Sequence, residues 1–589
     1  MTLSTPLRND YGRGNSAGIR QVDDLNGRTA EEAIVKGLMQ NQPLLLSSLL
    51  AHADRFHAGT EIVSRTVEGT IHRYVYQDAA RRARKLASAL RRWGVRPGDR
   101  VATLAWNNYR HFEIEHGVTG LGAVWHAINP RLIPAQISFI ANHAEDRVLF
   151  LESSFVSLVE GLLPQLSGVG LFVLMVDRAS MPATTIPNIQ CYEEFLESGD
   201  EQFEWPMFDE LSASSLFYTS GTTGNPKGVL YSHRSDLLHC LSICGGYSMG
   251  FAASDTVLPM TPMFHANGAW GFTHAAPMAG AKLVLPGPKL DAASIAELIE
   301  TEGVTITAGV PTLYAKLLQH FETRGGAVGA LKRIVIAGSA PSPSMIEGFE
   351  RLGVSVNHVW GMTETSPCGT SPQPSRKTSS LPASQQLGRK ITQGQPIYGV
   401  DLKVVDEQGG ELPRDGATSG RLMVRGPWII SGYYREGKPL LQDGWFETGD
   451  LAVIDSDNYV QLTDRAKDVI KSGGEWISSI DIENFTTGCP GVAEAAVVGI
   501  PHPKWEERPL LVVVPAIGAT VTAQTIFAFL EGKIAKWWMP DDVVFVDALS
   551  YGATGKIQKM ELRRRFAGHY ATPGRSSADR NPEAISAQE

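Results

Sequence analysis

The chain has 589 residues, 43% of them hydrophobic and 20% charged, and a formal net charge of -9. That length exceeds what one hydrophobic core supports, so two or more domains are expected, and the acidic balance argues against a nucleic-acid binder. Five cysteines without zinc-ligand spacing, and no uninterrupted apolar run long enough for a membrane span, point to reduced thiols in a cytoplasmic protein. Peripheral membrane association and a homodimer stay open.

Residues 1–35 are polar and rich in Gly, Asn and Arg, with no apolar core of a secretory signal, and 569–589 are similar. Both are expected to be flexible extensions. Residues 80–90 form a predicted helix with Leu86, Leu90 and Trp93 on one face and its arginines on the solvated one. It stops at Gly94 and Pro97-Gly98, and residues 101–106 read as a buried strand. Strand candidates at 147–151, 171–175 and 334–336 alternate with helical stretches, which implies parallel sheets flanked by helices. After Gly388 short β-like runs at 400–405 and 420–425 predict a small β subdomain. Beyond Asp464 an α+β pattern runs to about Phe566, with strands at 495–499 and 510–514.

The chemistry is concentrated at residues 218–229, YTSGTTGNPKGV. A loop this dense in glycine and hydroxyl groups cannot pack a core. It can wrap backbone N–H groups and the side chains of Thr219, Ser220, Thr222 and Thr223 around phosphate oxygens, with Gly221 and Gly224 allowing close approach. Lys227 adds a point charge to the same anion. It is not a Walker A loop, because Pro226 precedes the lysine and Gly228 follows it. The second segment, residues 359–367, is VWGMTETSP, and a third, 447–450, reads ETGD. The fourth, 464–477, is DRAKDVIKSGGEWI, and the last, 553–557, is ATGKI.

These five segments, in this order, resemble the signatures of the adenylate-forming enzymes, most closely the bacterial medium- and long-chain fatty acyl-CoA synthetases. The resemblance spans residues 40 to 566. It implies an α/β fold: a large AMP-binding domain, 36–463, built from two parallel-sheet subdomains flanked by helices and a small β-barrel-like subdomain at 388–463. A small α+β C-terminal domain, 464–568, would be hinged to it at Lys467. By the same resemblance Glu364 and Thr219 hold Mg2+, Thr363 contacts the α-phosphate, and Trp360 with Gly361 and the turn Gly338-Ser339-Ala340 receive adenine. Asp450 would accept the ribose hydroxyls, Arg465 would reach ribose and phosphate, and Lys471 belongs to the nucleotide-binding segment. Lys556 is the expected catalytic lysine, offsetting the charge that develops as a carboxylate displaces pyrophosphate. One departure stands out: the family carries a proline and a basic or polar residue shortly before this lysine motif, where this chain has Leu549-Ser-Tyr-Gly552.

The family's acyl-pocket segment corresponds to residues 262–270, PMFHANGAW. His265 would lie near the substrate carboxylate. No carboxylate adjoins it, which argues against an amino-acid substrate. The long-chain relatives place a gating tryptophan four residues after this histidine. Here Trp270 comes one position later, as if Gly268 were inserted. The remaining lining, including Val310, is apolar. The expected activity is an ATP-dependent carboxylic acid:CoA ligase acting through an acyl-adenylate, with ATP and coenzyme A as co-substrates. Medium- to long-chain fatty acids lead as substrates, with short thioether or branched acids in reserve. A ligase loading a carrier protein, and a non-catalytic nucleotide-binding regulator, are the alternatives.

Overall fold

The computed structural model describes residues 37–219, 225–373, 376–465, 468–472, 475–552 and 556–570. The chain divides into two units at Pro43 and Leu44. The described part of the first, 37–43, carries no helix or strand, and all the sheets and helices belong to the second.

Alternation of apolar runs with amphipathic helices produces two seven-stranded sheets. One runs, edge to edge, Ser355–His358, Arg333–Ile336, Ile306–Gly309, Thr256–Pro259, Lys282–Leu285, Glu61–Arg65 and Ile71–Val75. The other runs Gln190–Cys191, Leu171–Leu174, Asp146–Leu151, Arg100–Leu104, Val124–Ala127, Ala213–Thr219 and Lys227–Ser232. Every pairing is parallel except the last of each sheet, which is an antiparallel hairpin. Strands such as Leu171–Leu174, buried along their whole length, are what a parallel sheet covered on both faces requires. The helix Tyr76–Trp93 seats Leu86 and Leu90 in the core and ends at Gly94, whose φ of 108 only glycine adopts without strain.

A third, antiparallel sheet is built from Asp401–Val405, Gly420–Arg425, Leu441–Gln442, Trp445–Ile454 and Val460–Arg465. Residue 388 lies inside the helix Ala383–Ile391, so the switch to β structure comes later than the glycine signal implies. Beyond it, Ile470–Ser472, Glu475–Ile477, Val492–His502, Glu506–Pro515 and Asp542–Phe545 form a mixed sheet. Its own core includes Val497, Leu511, Val513 and Ile526. Among the described residues no helix is long and apolar enough to cross a membrane. All five cysteines are free thiols, and Cys240 and Cys244 lie on the single helix His233–Cys244.

Candidate active site

The glycine- and hydroxyl-rich loop joins the hairpin that edges the second sheet: Thr219 ends one strand, Lys227 opens the next, and the two are register partners. Ser220, Gly221, Thr222, Thr223 and Gly224 lie outside the described residues. Lys227 Nζ stands 4.6 Å from the centroid of the Tyr433 ring and 3.6 Å from Glu436 Oε2. Both partners of that ion pair are well exposed, so it contributes under about 1 kcal/mol and leaves the ammonium available to a stronger anion.

The 3-10 turn Thr363–Thr365 carries Glu364, which is 6% exposed. Its Oε1 accepts a 2.9 Å hydrogen bond from Tyr433 Oη, and Tyr231 Oη donates to the Thr363 carbonyl. One tyrosine pair thus ties the phosphate-loop hairpin to the acidic turn. Burial pushes the Glu364 carboxyl up, opposed by the Tyr433 hydrogen bond and by the positive charges of Arg465 and Lys556. Arg465 and Lys556 come from segments 101 and 192 residues further along the chain, by subtraction of their numbers, and the charge of each is felt at this carboxylate. Gly361 sits at a bulge where a Cβ would approach the Pro367 carbonyl oxygen to 1.6 Å, so no other residue fits there.

Trp360 is 5% exposed, and its indole N–H donates to Asp450 Oδ2 at 2.9 Å. Arg465 Nε lies 3.4 Å from Asp450 Oδ1, the two residues facing each other across neighbouring strands. Each carboxylate oxygen has two lone pairs, so Asp450 keeps acceptor capacity for hydroxyl groups. Trp360, expected to receive adenine, is mostly packed, and its polar edge orients Asp450. Gly338 and Ser339 are exposed in the turn after Arg333–Ile336, and Gly338 lies beside Val310. The predicted adenine turn and the predicted acyl lining therefore adjoin. Lys471 is exposed on Ile470–Ser472, and its backbone N–H donates to Glu507.

Lys556 is exposed at the tip of a small hairpin. Tyr551 bridges Ile557, the Gly552 N–H donates to the Lys556 carbonyl at 2.7 Å, and the Gln558 N–H to Ser550 at 2.8 Å. The residues that depart from the family pattern before the lysine thus form one arm of the turn presenting it. Lys467 lies outside the described residues, but its flanks are joined. Ser479 N–H donates to Asp464 Oδ2 at 2.6 Å, and Lys559 Nζ reaches Ser479 Oγ at 2.6 Å and Glu483 at 2.8 Å.

His265 is half-buried against Phe264, ring centroids 4.9 Å apart. After it, Ala266–Gly268 runs into a π-helical turn, Ala269–His274. A widened turn is how a helix absorbs one extra residue, which matches Gly268 as the insertion. A Cβ on Gly268 would lie 2.1 Å from the Pro262 carbonyl oxygen. Gly268→Ala should therefore cost about 1–3 kcal/mol, read as a lowered denaturant midpoint at unchanged slope. The Trp270 side chain lies outside the described part of the structure.

Tyr433, Tyr231 and Glu436 were not singled out by sequence. The Gly432-Tyr433-Tyr434 triplet in a polar stretch is the signal that could have found the first.

Comparison with known proteins agrees with this geometry. The family model described as AMP-binding enzyme matches residues 50–434, and that of the AMP-binding enzyme C-terminal domain matches 481–556. The chain is 51% identical to a 3-methylmercaptopropionyl-CoA ligase of Ruegeria lacuscaerulensis, over 90% of this chain and 98% of that protein. It is 45% identical to a medium-chain-fatty-acid–CoA ligase of Ectopseudomonas oleovorans, over 90% and 97%. The crystal structure of the anthranilate CoA ligase AuaEII with anthranoyl-AMP superposes with a TM-score of 0.81 at 24% identity, covering 91% of this chain and 100% of that one, a likeness of fold. The chain belongs to the AMP-binding enzyme family and is an ATP-dependent, AMP-forming acid–thiol ligase.

Proposed function

We propose that the protein joins a small apolar carboxylic acid to coenzyme A in two steps at the site around Glu364. The meeting of Glu364 and Lys227 at the Tyr433 ring, beside the linked Trp360, Asp450 and Arg465, is the observation that carries the reading. In the first step the acid's carboxylate oxygen attacks the α-phosphorus of ATP and pyrophosphate leaves. Lys556 and Arg465 offset the charge gathering on the phosphate, and the loop at 219–227 holds the leaving group. In the second, the coenzyme A thiol displaces AMP from the acyl carbon.

The residues present suit magnesium. Glu364 is a buried carboxylate held by one tyrosine hydrogen bond, and Thr219 ends the strand beside the phosphate loop. A hard cation bound with the nucleotide would draw on these two oxygens and keep its remaining waters. Bound there, it would neutralise phosphate charge.

Different groups serve the two steps. We infer that the domain at 464–568 turns about Lys467 between them, carrying Lys556 away. The contacts of Asp464 with Ser479 would then form in the adenylating arrangement and part in the other.

For the acid, the absence of a charged side chain at Phe264, His265 and Ala266 favours an uncharged apolar tail. The relatives at 51% and 45% identity shift the order of candidates drawn from sequence. A short thioether acid, 3-methylmercaptopropionate, comes first, and a medium-chain fatty acid, after the 45% identical relative, second. A panel of straight-chain acids of three to eighteen carbons, with this thioether and an aryl acid, decides between them. The thioether and pentanoate have nearly the same shape, so kcat/KM for these two should agree within several-fold and exceed that for octanoate. If each added methylene instead contributes about 0.8 kcal/mol up to eight carbons or more, the medium-chain reading replaces the first. A maximum on the aryl acid overturns both.

A further inference from the structure

Behind the acyl-pocket segment lies a buried polar group that neither adenylation nor thioester formation uses. The π turn Ala269–His274 ends on Thr273 and His274, both buried. Glu115, from the helix Tyr109–Leu121, meets both residues. Its Oε1 accepts a hydrogen bond from Thr273 Oγ1 at 3.1 Å and lies 2.8 Å from His274 Nε2. The Glu115 and His274 side chains are 0% and 1% exposed. His116 stands next to them, its Nε2 3.4 Å from the Thr273 carbonyl oxygen.

A buried carboxylate costs stability unless its hydrogen bonds offset the desolvation, so its presence on one particular turn calls for a reason. The turn itself supplies one. A π turn closes its ring between residues five apart, so whatever fixes position 274 also fixes position 269. At its other end the close approach of Gly268 to the Pro262 carbonyl locks the entry. The wide ring is thus clamped at both ends, by backbone at Gly268 and by a carboxylate at Thr273 and His274. Between the clamps lies the stretch following His265.

We propose that Glu115 is a positioning residue for substrate selection, holding the π turn in the place that sets the depth of the acid site. This rests on the proposed function, in which residues 265–270 line that site. Burial drives the His274 and His116 imidazoles down to about 3 and 4 and lifts the Glu115 carboxyl to about 7. The histidines are therefore neutral at working pH, and the clamp is the Thr273–Glu115 hydrogen bond with His274 packed beside the same carboxyl, in place of an ion pair.

The test uses the full-length enzyme and the acid panel. Glu115→Met removes the acceptor at similar volume and should change the ratio of kcat/KM between pentanoate and octanoate by about tenfold, a pocket effect of roughly one methylene or more. Glu115→Gln keeps an acceptor oxygen and should restore the wild-type ratio. Glu113→Gln, on the same helix but paired with Arg82 and Tyr192, should lower Tm and leave the ratio alone. If Glu115→Met fails to fold, Thr273→Val breaks the same contact from the other side and should move the ratio in the same direction. Deleting Gly268 separates the positioning role from the pocket assignment beneath it. A changed ratio on deletion with no change for a folded Glu115→Met or Thr273→Val overturns the positioning role and keeps the pocket. No change for either overturns the pocket reading itself.

Discussion

Replacing Lys556 with alanine should lower the rate of acyl-adenylate formation by about 10²–10³ while thioester formation from supplied acyl-AMP falls only a few-fold. The lysine is exposed at the tip of the Tyr551–Ile557 hairpin, whose backbone bonds do not depend on its side chain. Its charge reaches the acidic turn at Glu364, where in the proposed first step negative charge grows on the α-phosphate. Substitution should leave a cooperative melt, so that the loss is read on folded enzyme. Stopped-flow measurement of each half-reaction separates the outcomes: equal losses in both would contradict a division of labour between the two arrangements of the chain.

The second large effect concerns Glu364. Glu364→Gln should lower kcat/KM for ATP by about two orders of magnitude and raise the magnesium concentration needed for half-maximal rate. Its effect on stability should run the other way. Burial raises the folded-state pKa of this carboxyl above its unfolded value, so the folded state holds the proton more tightly. Ionisation then lowers stability as pH rises from the ordinary carboxylate range through the raised value, and the loss persists at neutral pH. Glutamine keeps the acceptor for Tyr433 and carries no charge, so the nucleotide-free variant should melt at or above the wild-type temperature at pH 7. A lower Tm together with unchanged magnesium dependence would mean that Glu364 serves packing alone.

Much of the fold was legible because it is periodic or locally unusual. Alternating apolar runs and amphipathic helices gave the two parallel sheets, and the strand at 420–425 was read at its observed bounds. The phosphate loop stood out by its density of glycine and hydroxyl groups, whereas Glu364, Arg465 and Lys556 were named through the resemblance of their segments, in order, to the adenylate-forming enzymes. Other features come from tertiary contact. Tyr433 reaches Glu364 across 69 residues of chain, and the Gly432-Tyr433-Tyr434 triplet marks the position without marking that partner. Trp360 packs against Gly369, and its indole N–H is held by Asp450, 90 residues away. The β switch read at 388 failed because the glycine there lies within the helix Ala383–Ile391, where neighbouring helix formers outweigh it. The insertion at Gly268 was visible as a shifted tryptophan, but its form as a π turn clamped by Glu115 needed the second helix.

The central claim is that activation of the acid is a complete step before coenzyme A takes part. Acid-dependent exchange of labelled pyrophosphate into ATP, measured with Mg2+ and 3-methylmercaptopropionate or a short fatty acid but without coenzyme A, tests it most directly. The account predicts rapid exchange that requires the acid and disappears in the Lys556→Ala enzyme. Exchange that appears only when coenzyme A is added would contradict it, because no free-standing acyl-adenylate step would then exist.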